Sequence, residues 1–201
     1  MDNPNPSIYA PTLKRFTLAF NKDGFLLDIT KETIFELIRD IRDPEHPQSL
    51  EKLGVISIDD IKIYTTNIND IIVPKNDLSK YCGIDKVDVN CLSMEDKVYC
   101  YKESDKPLFK HGKDVKNIQV QFKPTIPHCT MASFIGLSIK LQLIRYLPGE
   151  YNIQVIIPDG AHTQNIDMNK QLDDKDRVMA ASENSGLKDM LDELLPCFNK
   201  N

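Results

Sequence analysis

The chain has 201 residues, an apolar fraction of 41% and a formal net charge of −5. That length suits one good-sized domain with appendages, and the acid excess argues against binding nucleic acid through bulk electrostatics, which needs a basic face. The opening Met1-Asp2-Asn3-Pro4-Asn5-Pro6 lacks the basic and apolar regions of a secretory leader. The longest apolar stretch, Met131 to Leu147, is interrupted by Ser138, Lys140, Gln142 and Arg145, so no membrane span is expected. A cytoplasmic or also nuclear location is the expectation. There the five cysteines, Cys82, Cys91, Cys100, Cys129 and Cys197, default to reduced thiols rather than a disulfide framework.

Residues 1–29 hold three prolines in the first eleven positions and no sustained periodicity, and are read as a largely disordered N-terminal segment with a short apolar stretch from Phe16 to Phe20. Thr30 then caps a predicted helix whose apolar positions Ile34, Phe35, Leu37, Ile38 and Ile41 recur at helical spacing. Asp43-Pro44-Glu45-His46-Pro47 is expected to end it. Ser49 to Leu53 reads as a single turn closed by Gly54. Val55 to Tyr64 reads as a strand, and Asn117 to Phe122 as a second, with Ile118, Val120 and Phe122 alternating with amides. The polar stretch between them, about 65–116, is too long for a hairpin loop and reads as an insertion.

A helix is expected from Met131 to Leu147, ended by Pro148-Gly149, then a third strand from Tyr151 to Ile157 and a turn at Pro158-Asp159-Gly160. Two further helices are expected, Asp173 to about Ala181 and Ser185 to Leu195. The predicted fold is α+β: one domain over 30–198, a small mixed sheet packed against helices in the order α-β-β-α-β-α-α.

Cys129 is the residue with the most chemistry around it. It follows a strand and a turn braced by Pro124 and Pro127, and it precedes a helix. Unpaired N–H groups and the dipole at a helix N-terminus favour an anion, so the expectation is an exposed thiol with a lowered pKa. His128 adds charge or a second ligand, and Thr125 and Thr130 can cap the turn. Such a thiolate suits a nucleophile, a metal or cluster ligand, or a redox sensor. The plainer alternative is a buried cysteine that fills space, since free cysteine is among the most buried residue types.

Complete catalytic or metal patterns are missing: there is no Gly-rich phosphate loop, CxxC or HExxH. Cys129 with His162 or His46 and Asp43 or Glu45 makes a conceivable triad, a thiol-dependent enzyme being the alternative function. Cys82, Cys91 and Cys100 recur too widely for a zinc site. The bland reading of Asp43 and Glu45 is helix termination. Lys170, Lys175 and Arg177 read most simply as a solvated face.

Three blocks carry a family resemblance. Thr125-x-Pro127-His128-Cys129-Thr130-Met131-Ala132-x-x-Ile135-Gly136-Leu137-Ser138-Ile139 resembles the signature of the cytosolic iron–sulfur assembly component 2 family, also called the MIP18 family. Ile38-Arg39-Asp40-Ile41-Arg42-Asp43-Pro44-Glu45-His46-Pro47-x-x-Leu50-Glu51-x-Leu53 agrees, as does Asn169-Lys170-Gln171-Leu172-x-Asp174-Lys175-x-Arg177-Val178-x-Ala180. Asn5-Pro6-x-Ile8-Tyr9 and His46 make the 2B branch the better match. Thr130 departs from the serine usual in relatives, and the 65–116 insertion departs from the family pattern.

The resemblance implies an iron–sulfur cluster assembly domain-like fold related to SufT-like and PaaD-like proteins, and a non-enzymatic role. It implies work in the targeting complex with a WD40 β-propeller protein and a HEAT-repeat adaptor, which passes clusters to apo-protein clients such as DNA replication and repair enzymes. Homodimers occur in the family. The motif cysteine, here Cys129, is the residue on which cluster handling should depend, with Asp43 and Glu45 in an acidic turn nearby and Lys170, Lys175 and Arg177 as a docking surface. One thiolate cannot hold a cluster that ordinarily takes four ligands, so the implied cofactor state is none stably bound, with a cluster ligated only in transit. Direct contact with nucleic acid or membrane is not implied.

Overall fold

The structure, a computed structural model, describes residues 5–11, 13–66 and 114–198. The insertion at 65–116, with Cys82, Cys91 and Cys100, therefore lies almost wholly outside the described residues. The elements are α1 (Lys31–Ile38), β1 (Ile61–Thr66), β2 (Val115–Gln121), α2 (Ala132–Tyr146), β3 (Tyr151–Ile156), α3 (Asn165–Asp173), α4 (Lys175–Glu183) and α5 (Ser185–Leu194). The α+β reading holds. The sheet is mixed, in the order β1-β2-β3, with β1 antiparallel and β3 parallel to the central β2.

The register explains the alternation seen in β2. Ile61 pairs with Val120 and Val120 with Val155; Ile63 pairs with Ile118 and Ile118 with Ile153. These side chains share one face, since successive strand residues alternate. The other face carries a ladder of amides: Asn152 Nδ2 donates to Asn117 Oδ1 at 3.0 Å, and Asn117 Nδ2 donates to Thr66 Oγ1 at 2.9 Å. Helix α2 is the central helix and is buried on most of its circumference. Its polar residues are accordingly tied down. Gln142 Nε2 donates to the carbonyls of Leu37 (3.3 Å) and Pro196 (2.9 Å), and Lys140 Nζ donates to the Leu172 carbonyl at 2.6 Å. Burial pushes the Lys140 pKa down.

Gly136 shows why a glycine stands in the middle of that helix. A Cβ there would lie 2.6 Å from Leu172 Cδ1 and 3.0 Å from Phe122 Cζ, so α3 and the end of β2 occupy its space. Asn169 of α3 closes the end of β3: its side chain accepts the Ile157 N–H at 2.8 Å and donates to the Ile157 carbonyl at 3.0 Å.

The first helix, the first strand and one added helix depart most from the sequence reading. The first helix starts at its Thr30 cap as expected but ends at Ile38, not at Asp43. Ile41 is still fully buried; the chain has by then turned into a short antiparallel bridge between Arg42 and Ser49. Residues 55–60 are not strand: Ser57 caps a 3-10 turn at Ile58–Asp60 before β1 begins. Helix α3 was not expected. Its apolar residues are sparse, and Ile166, one of them, is exposed, leaving only the Met168–Leu172 pair on its buried side. Asp174 then ends α3 and caps α4, accepting the N–H groups of Asp176 and Arg177 at 3.1 Å each.

The turn at 49–54 closes as expected. The N–H of Val55 bonds to Leu50 O and that of Gly54 to Glu51 O, both at 2.9 Å, with Gly54 at φ +65°; this is the Schellman pattern. Tyr9 lies over Gly54, where a Cβ would meet its ring at 2.9 Å, and its N–H donates to Lys52 O at 2.8 Å. Among its described residues the N-terminal segment has no helix or strand, and it is fastened at such points. Beneath it lies a buried charge cluster. Arg39 is fully buried, bonded through Nε and Nη2 to Glu51 (2.8 and 2.7 Å), through Nη1 to Glu36 (2.9 Å), and through Nη2 to the Leu13 carbonyl (3.1 Å). Arg15 reaches Glu36 and Asp40 from above.

Candidate functional site

Three loops meet at one edge of the sheet. Because β2 and β3 are parallel, the segments leaving their C-terminal ends, 122–131 and 157–164, emerge side by side. Because β1 is antiparallel to β2, the residues that precede β1 arrive at the same edge. Lys123 N–H accordingly donates to Val55 O at 2.8 Å.

Cys129 lies between these loops. On one side the 43–46 turn is braced by Asp43, whose Oδ1 accepts the N–H groups of Glu45 and His46 at 2.9 Å each. Asparagine and aspartate side chains build such turns by capping their own downstream backbone. Asp43 therefore shapes a loop five residues beyond the helix end rather than terminating the helix. Thr130 Oγ1 donates to Glu45 Oε1 at 3.3 Å, which ties this turn to the cysteine loop. On the other side His162 and Thr163 hold the loop. His162 Nε2 is 3.1 Å from the Cys129 carbonyl, and Thr163 N–H donates to the Pro127 carbonyl at 3.0 Å. His128 is exposed, its Nδ1 3.4 Å from Thr163 Oγ1. Thr125 is half-buried at the start of the turn.

The expectation of an exposed, acidified thiol is corrected here. Cys129 is only 4% exposed. Its pKa is raised from the ordinary thiol value: burial is the largest cause, and the Glu45 and Asp43 carboxylates add to it. The N–H groups of Met131 and Ala132, at the start of α2, pull the other way. The helix-start effect is thus present but outweighed by the desolvation of the charged form. The neutral thiol is favoured in the fold, so its contribution to stability is complete below the ordinary thiol pKa and is lost as pH rises through the folded-state value.

This ordering is directly measurable. Iodoacetamide at pH 8 is expected to modify exposed Cys197 on the order of tenfold faster than Cys129. Peptide mapping of the native protein reads both sites. Equal rates would mean that the sulfur is open to solvent.

His162 is not free to act as a base for the thiol. Both ring nitrogens of His162 are engaged with main-chain groups, Nδ1 accepting the Gln164 N–H at 3.0 Å. Among the described residues no group of three or more His, Cys, Asp and Glu side chains is placed to hold a metal ion. The site offers one soft ligand, an acidic rim and a helix start. Lys170 and Arg177 lie elsewhere, exposed with Asp167, Gln171 and Asp174 around a shallow depression on α3 and α4. Lys175 is exposed at the start of α4. His162 and Thr163 are the site residues that sequence reading leaves without this role. Their signal is topological: they follow a strand parallel to the one that leads to Cys129.

The chain is 33% identical to the MIP18 family protein galla-2 of Drosophila melanogaster, across 97% of this chain and 95% of that one. It belongs to the MIP18 family. It is also 33% identical to the cytosolic iron-sulfur assembly component 2B of Mus musculus, over 97% of this chain and 91% of the relative, and 32% identical to protein AE7 of Arabidopsis thaliana, over 96% and 94%. No family model matches the chain. Among the described residues of this MIP18 family member, no helix is long and apolar enough to cross a membrane.

Proposed function

We propose that this MIP18 family protein is a non-enzymatic component of the cytosolic iron–sulfur targeting complex and helps deliver clusters to cytosolic and nuclear apo-proteins. The observation that carries this reading is near end-to-end similarity to a relative named as a cytosolic iron–sulfur assembly component, with the motif cysteine at the meeting point of three loops. The partners are a WD40 β-propeller protein and a HEAT-repeat adaptor, with Lys170, Lys175 and Arg177 as a docking face. A homodimer would bring two copies of Cys129 to the complex.

The chemistry of the site supports transfer over storage. A single sulfur leaves most positions of an iron–sulfur cluster to other donors. Its raised pKa keeps it protonated until a cluster iron displaces the proton, since thiolate is the form that ligates. The cluster is cargo in this scheme. A thiol enzyme is the weaker reading, because His162 is not free to take a proton from Sγ.

Cells depleted of this chain and complemented with Cys129→Ser should lose client iron–sulfur enzyme activity, while the tagged variant still recovers the propeller and HEAT-repeat proteins. Full client activity with Cys129→Ser would remove the thiol from the mechanism. Failure of the native protein to recover either partner would overturn the targeting-complex reading.

A further inference from the structure

We infer that His162 is a positioning residue for Cys129, holding the cysteine in place through its main-chain carbonyl. The inference rests on the cluster-handling reading for its consequence, but not for its geometry. His162 is 5% exposed, and each of its ring nitrogens meets a group with only one possible role. The Gln164 N–H can only donate, so Nδ1, at 3.0 Å, is the acceptor. The Cys129 carbonyl can only accept, so Nε2, at 3.1 Å, carries the hydrogen. The two contacts therefore fix a single tautomer, the Nε2–H form, without any hydrogen being observed.

What that bond holds is the turn that presents the sulfur. Among the described residues the Cys129 carbonyl also receives a long bond from Ala132 N–H, 3.4 Å, and Cys129 N–H donates to the Ile126 carbonyl at 3.3 Å. The turn is thus closed by weak internal contacts and clamped from outside. Thr163 supplies the second clamp, its N–H on the Pro127 carbonyl. Two consecutive residues of the β3–α3 connection hold two residues of the cysteine loop that are also nearly consecutive. His162 alone of the pair is buried, and it alone joins the cysteine itself. Loss of the bond would let the loop open and expose Sγ.

Glutamine serves as a conservative variant, since its amide can accept from one main-chain group and donate to another. Iodoacetamide labelling mapped at Cys129 should speed up about fivefold in His162→Ala, the population change that one net hydrogen bond sets. It should return to within about twofold of the native rate in His162→Gln, with Cys197 labelling unchanged throughout. Client maturation should fall in His162→Ala and recover in His162→Gln. Native labelling rates in His162→Ala, or a folded His162→Gln that behaves as the alanine variant does, would overturn the proposal.

The native protein gives an answer independent of any variant's folding. Nitrogen-15 spectra of the histidine rings, assigned by difference against His162→Gln, should show His162 with Nε2 protonated and Nδ1 bare. An Nδ1–H ring, or a doubly protonated one at neutral pH, would also overturn it. Should Cys129→Ser prove fully active in cells, the cluster-handling reading fails by itself, and the labelling and nitrogen spectra still decide whether His162 sets the cysteine.

Discussion

Replacing Arg39 by Ala is expected to lower stability by about 3–5 kcal/mol, a fall in Tm on the order of 10 °C for a domain of this size. The guanidinium is sealed from water, bridges Glu36 and Glu51, and stacks 5.1 Å from the centre of the Phe35 ring. Both carboxylates are about as buried as their partner, at 5% exposure each. Removing the cation takes the buried guanidinium from both, although Arg15 still reaches Glu36, and it deprives the Leu13 carbonyl of a donor. Desolvated carboxylates that lose a buried counter-charge dominate the cost, so the effect should exceed anything a surface pair gives. Arg145 and Asp192, 3.3 Å apart with side chains 39% and 50% exposed, supply the contrast. Asp192→Ala should cost at most about 1 kcal/mol. Arg39→Lys should recover little, because an ammonium cannot span two carboxylates and a carbonyl as a planar fork does. Denaturant midpoints of the three variants test the ordering; an Arg39→Ala protein as stable as Asp192→Ala would mean that water reaches the cluster.

A second large effect is expected where α2 meets α3. Leu172→Ala should cost about 2–5 kcal/mol by opening a cavity in a closed core. Gly136→Ala sets two terms against each other. Alanine gains about 1 kcal/mol of helix propensity over glycine, while its Cβ would press within 2.6 Å of Leu172 Cδ1 and 3.0 Å of the Phe122 ring. Overpacking of that kind costs about 1–3 kcal/mol, so the net change in the native background is a loss. In the Leu172→Ala background the first obstruction is gone. Gly136→Ala should then stabilise, reversing sign. Strict additivity in this double-mutant cycle would show that the two residues are not in contact.

How much of this is legible in the sequence depends on whether a feature is local. The alternation of Ile118 and Val120 with amides marks β2 because the sheet has one apolar and one polar face. The Thr30 cap and the Gly54 turn are legible because each is made by a few adjacent residues. The end of α1 is not, because Arg39 leaves the helix to reach Glu51 and the N-terminal segment, partners that no periodicity announces. Helix α3 is hidden for a related reason: it is held by Asn169 on the backbone of β3 and by Leu172 under Gly136 rather than by an apolar stripe.

The candidate site divides along the same line. A cysteine before a helix can be read from the order of residues. Its burial cannot, since that depends on which loops the strand directions bring together. The expected acidification of Cys129 fails because a local effect, the helix start, meets two non-local ones, desolvation and the carboxylates of the 43–46 turn. His162 is 33 residues away in sequence, and only the parallel pairing of β2 and β3 makes it a neighbour.

The far end of the molecule carries a consequence for biosynthesis. Phe20, Tyr146 and Phe198 form one aromatic group, with Phe20 and Phe198 centroids 6.2 Å apart and the Phe198 N–H on the Tyr146 hydroxyl at 3.2 Å. Arg42 N–H and Gln142 Nε2 likewise reach the carbonyls of Leu194 and Pro196. Phe20 and Arg42 must therefore wait for residues 194–198 to be made before their packing is complete. Since chains are made at roughly 5–20 residues per second, Phe20 lacks its C-terminal aromatic partner for some time after it is made, a window in which nascent-chain chaperones would find it exposed.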